Sequence, residues 1–219
     1  PPLPTTPTTL PPPEAASAFG KAQSAARVGR FSDAMNLLSK AQQVLRDLGI
    51  QRWQEGLEFE QKLQENIDAE IVFNEGMDSF TEGRLDEAIE CVETAYRATG
   101  LPKYNDRAQA FRKLKEKIKD INEAISSPNL EPRMVTQAKS DLDSAISEFG
   151  ENPVFDRLKH RLEGAIPKAI SPLQEQARTL KAQAEWAVTL DEAMHLSRLA
   201  RSHLDQINSL SSRDKCMAS

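Results

Sequence analysis

Any chemistry in this chain has to come from few side chains. The 219 residues include three histidines, His160, His195 and His203, and two cysteines, Cys91 and Cys216. Glu192 and His195 have the Glu-x-x-His spacing that puts a carboxylate and an imidazole on one helix face in carboxylate-bridged di-iron bundles. Such a centre needs the motif twice, and no second copy occurs. His160 and Glu163 stand in the reverse order within a highly charged stretch. The phosphate-cradling patterns GxxxxGKS/T and GxGxxG are absent, as are HExxH, CxxC and GxSxG. Carboxylates are abundant, but a catalytic pair needs surroundings that push two pKa values apart, and a Glu-rich helical face does not supply them. The expectation is therefore a non-enzyme with no catalytic residue, no metal ligand and no cofactor. Two cysteines cannot build a disulfide framework in a chain of this size. Cys91 falls in an apolar helical pattern as a small core residue, and Cys216 falls in a polar tail.

The elements that would position these groups are helices. With 39% hydrophobic but only 5% aromatic residues, the core is mostly aliphatic and alanine, and nine glycines are too few for a turn-rich sandwich or barrel. Seven of the thirteen prolines lie in residues 1–13, PPLPTTPTTLPPP, which read as an extended polyproline II linker. Pro1-Pro2-Leu3-Pro4 resembles motifs read by WW domains, and Pro4 to Pro7 has the PxxP spacing of SH3 ligands. From Glu14 onward the apolar period is 3.6. It predicts helices at about 14–28, 32–48 with Ser32 as a cap, 86–99, 104–125, 131–148, 153–165, 172–187 and 190–209, and helix throughout 51–82 as one element or two joined near Asn66. No segment alternates as a strand does, so the chain is predicted to be all-α, with nine or ten helices. Pro102, Pro128, Pro132, Pro153, Pro167 and Pro172 fall at the predicted helix edges. The expected organisation is a linker at 1–13, N-terminal hairpins at 14–126, C-terminal hairpins at 127–210 and a polar tail at 211–219.

Self-similarity is the most informative pattern. Gly29-Arg30-Phe31-Ser32-Asp33-Ala34-Met35, then Leu38 and Ala41, recurs 54 positions later as Gly83-Arg84-Leu85-Asp86-Glu87-Ala88-Ile89, then Val92 and Ala95. Upstream, Phe19 matches Phe73 and Ala22 matches Gly76 at the same offset. A small residue on the first helix lets the second approach, Gly-Arg makes the turn, and Phe31 or Leu85 plugs the corner. These units resemble the helix-turn-helix units of the tetratricopeptide repeat. Weaker traces lie at Leu190-Asp191-Glu192-Ala193, Ser197 and Ala200, and at Ala138, Leu142 and Ala145. The sequence departs from the family in its 54-residue period and in lacking the aromatic expected early in the first helix.

The resemblance implies antiparallel hairpins stacked as a tetratricopeptide-like α-solenoid or elongated helical array. It also implies a protein-interaction scaffold, part of a larger protein, that holds a polypeptide on a concave face. Phe73, Asn74, Met77 and Phe80 match the family's groove-lining positions and are the expected partner-binding residues; the alternative for the apolar three is packing against residues 51–66 or their neighbours. The carboxylate clamp of the chaperone-tail variants is not supported, since only Asn74 fits it. The second functional reading is a structural spacer or self-assembly module of a surface or filament protein.

Residues 51–95 hold thirteen acidic and three basic residues, net -10, and residues 96–119 hold eight basic and two acidic, net +6. The basic helix is expected to complement the acidic hairpin beside it, or else to present a face that steers a charged protein. A formal net charge of -5 argues against nucleic acid as a partner. No apolar run reaches the roughly 18 residues of a membrane span. The expected partner is a protein or peptide, with no membrane insertion and the oligomeric state open. The expected compartment is the cytoplasm, with an extracytoplasmic origin open if a signal or anchor precedes Pro1.

Overall fold

Alanine and leucine at spacings of three and four residues give each segment one narrow apolar stripe, and pairing such stripes is how the chain buries them. The computed structural model describes residues 12–50 and 53–212. The proline-rich ligand motifs, Cys216 and most of the polar tail lie outside the described residues. Among the described residues there are eight helices and no strand: α1 (Pro13–Arg27), α2 (Phe31–Asp47), α3 (Gln54–Thr81), α4 (Leu85–Thr99), α5 (Pro102–Ser126), α6 (Pro132–Phe149), α7 (Pro153–Glu185) and α8 (Leu190–Ser212). The fold is all-α, as expected, with one or two fewer helices than the apolar pattern predicts.

Two differences account for the count and others shift the boundaries; Pro13, expected in the linker, already opens α1, and α5 starts at Pro102, two residues before its expected start. Residues 54–81 form one helix, with no break at Asn66. Pro167 and Pro172, expected between helices, lie inside the 33-residue α7. An interior proline removes one backbone hydrogen bond and costs about 3 kcal/mol. Here both proline rings are exposed, while Ala165, Ile166, Ala169, Ile170 and Leu173 are buried, so burial of that face outweighs the missing bonds. Ser32 does not cap α2, which starts one residue earlier, at Phe31, with Arg30 before it and no side-chain cap. The turn is too short for a cap at Ser32, because the Ala34 N–H already donates to the Arg30 carbonyl at 2.9 Å. Pro13, Pro102, Pro132 and Pro153 each take the first helical position, where the missing N–H would have had no partner within the helix.

The chain divides into two compact units, one of residues through Met77 together with Ala88–Ala108, the other of Asp78–Glu87 and everything from Gln109. In the first unit α1 and α2 pair across a core of Phe19, Ala22, Ala34, Leu38 and Ala41, joined by Leu63 of α3. The Phe19 ring meets Trp53 edge-on at 4.6 Å and Phe59 at 5.3 Å. Gly76 lies so close to α4 that an added Cβ would stand 2.8 Å from Cys91 Cβ and 3.2 Å from the Ala88 carbonyl oxygen. Cys91 itself is half-buried.

In the second unit Phe80, Phe111 and Phe149 form an aromatic cluster, with Phe80 stacked on Phe111 at 4.7 Å. The α6–α7 turn reaches back to the α3–α4 turn through Asn152, whose side chain is 3% exposed. Its Oδ1 accepts from the Val154 N–H at 2.9 Å and caps α7, and its Nδ2 donates to the Phe80 carbonyl. α8 then packs along α7 through Ala200, Ile207 and Leu210.

Candidate partner-binding surface

α3 carries all four residues expected to bind a partner, and they have different fates. In the first unit, Phe73 is half-buried with its ring 5.0 Å from that of Tyr104, Met77 is half-buried and Asn74 is exposed. In the second, Phe80 is 5% exposed beneath Phe111. Phe80 is thus a core residue and not open to a partner, because α5 covers it. Phe73 is partly covered by the same helix. Phe19, its equivalent 54 positions earlier, likewise packs on the next first helix through Phe59. The packing has a signal in the sequence: Tyr104 and Phe111 are seven residues apart, as are Phe73 and Phe80, so two aromatic stripes of one period meet.

An open surface of another kind lies within the second unit. The start of α4 and the middle of α5 flank a cleft of about 790 Å³, with half-buried Leu85, Ile118 and Val154 as its apolar floor. Lys115 Nζ stands 2.7 Å from Asp86 Oδ1 across it. That hydrogen bond, and then the carboxylate's charge, raise the Lys115 pKa above the usual lysine value. Arg84 is held at the rim by Glu82 at 2.6 Å and Glu87 at 2.7 Å. Val154 is placed on the cleft floor by the Asn152 cap, and beside it Arg157 Nη2 donates to the Gly83 carbonyl at 3.2 Å. The spacing of these residues carries no signal of the cleft: Leu85 reads as a corner plug, and Ile118 and Val154 come from helices far from it along the chain.

Charge complementarity runs inside each unit. In the first, Lys103 Nζ lies 3.8 Å from Glu70, 4.7 Å from the Tyr104 ring centre and 5.8 Å from that of Phe31. In the second, Lys115 pairs with Asp86. So α5 does draw on the acidic α3 and α4, as its basic composition implies.

His160 and Glu163 are 3.4 Å apart and exposed, and His195 and Glu192 are exposed. Among the described residues no group of three or more His, Cys, Asp or Glu side chains is placed to hold a metal ion, and no helix is long and apolar enough to cross a membrane. No family model, curated protein or solved structure matches the chain.

Proposed function

We propose that this chain is a non-catalytic interaction scaffold built of tetratricopeptide-like helical hairpins, and that it takes up a polypeptide segment in the cleft floored by Leu85, Ile118 and Val154. The observation that carries this reading is that the 54-residue recurrence is also a recurrence of geometry. Gly29 and Gly83 close their helices at φ 80° and 81°. In each turn the glycine N–H donates three residues back and the following arginine N–H five residues back, to Ala26 and Ala25 in one case and to Phe80 and Ser79 in the other. Ala22 and Gly76, Ala34 and Ala88, Leu38 and Val92, and Ala41 and Ala95 are buried in both copies. Repeated hairpins of this kind offer shape and surface rather than reactive groups. The cleft supports the choice of ligand: an apolar floor takes one or two side chains of an extended or helical segment, and the rim of Arg84, Asp86 and Lys115 orients its polar backbone and charges.

A photo-crosslinking side chain at Lys119, on the cleft rim, is expected to capture a defined polypeptide. The same group at Lys40 should capture far less of it. Leu85→Glu with Ile118→Glu should abolish capture while far-UV circular dichroism retains its helical signal. Equal capture at Lys40, or indifference to the double substitution in a folded chain, rejects the cleft as the binding surface.

A further inference from the structure

The turn between α7 and α8 presents apolar side chains where a turn ordinarily carries Gly, Asn, Asp or Ser. Its backbone is satisfied internally. The Trp186 N–H donates to Gln183 at 3.1 Å, the Thr189 carbonyl accepts from Ala193 at 3.1 Å, and the Thr189 hydroxyl accepts from the Glu192 N–H at 3.2 Å. Thr189 thereby caps α8, while its neighbours point outward: Trp186 is 86% exposed, Val188 94% and Leu190 76%. Met194, one turn along α8 from Leu190, is exposed as well. Exposed apolar side chains gathered within a polar rim are a feature of interaction surfaces.

Between Lys181 and Arg198 the formal charges of the chain are of one sign. From Gln183 to His195 the chain has Glu185, Asp191 and Glu192 and no lysine or arginine. None of these carboxylates is in an ion pair among the described residues. Asp191 and Glu192 suit the positive end of the α8 dipole. Glu185 instead lies in the last turn of α7, at the negative end of its dipole, with no basic residue there to offset it. Among the described residues the tip therefore has exposed apolar side chains and carboxylates without an ion-pair partner, and its cations begin only at Lys181 and Arg198. A second copy of the tip would bring like carboxylates face to face, and an anionic lipid surface would be repelled in the same way.

We propose that the α7–α8 tip docks a basic amphipathic helix of a partner protein, whose apolar face covers Trp186, Val188 and Leu190 while a lysine or arginine sits against Glu185 at the negative end of the α7 dipole. In the full chain carrying Trp53→Phe, Trp186 is the one remaining tryptophan and reports on the tip. The probe is a synthetic leucine/lysine amphipathic peptide of roughly 18 residues, five helical turns. It should shift the Trp186 emission to the blue. Val188→Ser with Leu190→Ser, and separately Glu185→Gln, should each weaken that binding by about fivefold or more. The same peptide with glutamate in place of lysine should not bind. The proposal is overturned by no emission shift with the leucine/lysine peptide, by equal binding of the glutamate peptide, or by unchanged binding in the tip variants. Cosedimentation of the chain with phosphatidylcholine vesicles, lost on Trp186→Ala, would overturn it in favour of a membrane.

Discussion

Two helical glycines show how much a single hydrogen can decide. Gly76 touches α4, and its replacement by alanine would set a methyl group 2.8 Å from Cys91 Cβ, whereas a Cβ on Gly164 meets nothing within 4 Å. Alanine improves helix propensity by about 1 kcal/mol, and overpacking an interface costs about 1–3 kcal/mol. In urea denaturation Gly164→Ala should therefore gain about 1 kcal/mol, while Gly76→Ala should lose up to about 2 kcal/mol. Asn152→Ala removes both the cap on α7 and the buried bond to Phe80, and the same measurement should show a loss of about 2 kcal/mol. The Tyr104 hydroxyl is buried with no hydrogen-bond partner among the described residues, so Tyr104→Phe should leave the melting temperature unchanged or raise it. The Lys115 pKa is raised, so the favourable effect of its pair with Asp86 is present below the unfolded lysine pKa of about 10.4 and fades as pH rises through the higher folded value. NMR titration of Asp86→Asn should find the Lys115 pKa lowered relative to the parent chain.

At the scale of elements, caps and interior prolines carry different weight. Glycines 29, 49 and 83 end helices α1, α2 and α3 with one hydrogen-bond pattern and φ of 80°, 79° and 81°, a conformation that glycine adopts at little cost. These stops are legible in the sequence because the requirement is local. The prolines of α7 are not, because a proline states a cost and tertiary burial decides whether the cost is met. Ile166, Ala169, Ile170 and Leu173 meet it here. Pro172→Ala restores one hydrogen bond and removes a clash on the exposed side of α7. It should raise the unfolding free energy by about 1–3 kcal/mol in urea, somewhat offset by the freer unfolded chain. An unchanged or lower value would mean that the proline itself supports the packing of α7.

Over the whole molecule, the repeat makes a statement about equivalence. Ala34 and Ala88 are both fully buried, 54 positions apart, and Ala182 is exposed. Leucine at either buried site should cost about 1–3 kcal/mol, and similar amounts at both, whereas Ala182→Leu should change stability by less than about 0.5 kcal/mol. Paired urea melts of the three variants check this, and a tolerated leucine at only one buried site would show that the copies pack differently. By itself the sequence determined what depends on neighbours along the chain: helical period, glycine stops, proline starts, and the small residues Ala22, Gly76, Ala34 and Ala88 where helices touch. Only the tertiary structure decided which apolar residues remained outside. Phe80 and Trp186 are both aromatics near helix ends, yet Phe80 lies under Phe111 and Trp186 faces water. That difference depends on which helix from elsewhere in the chain arrives over each ring, and a one-dimensional pattern records the stripe but not its partner.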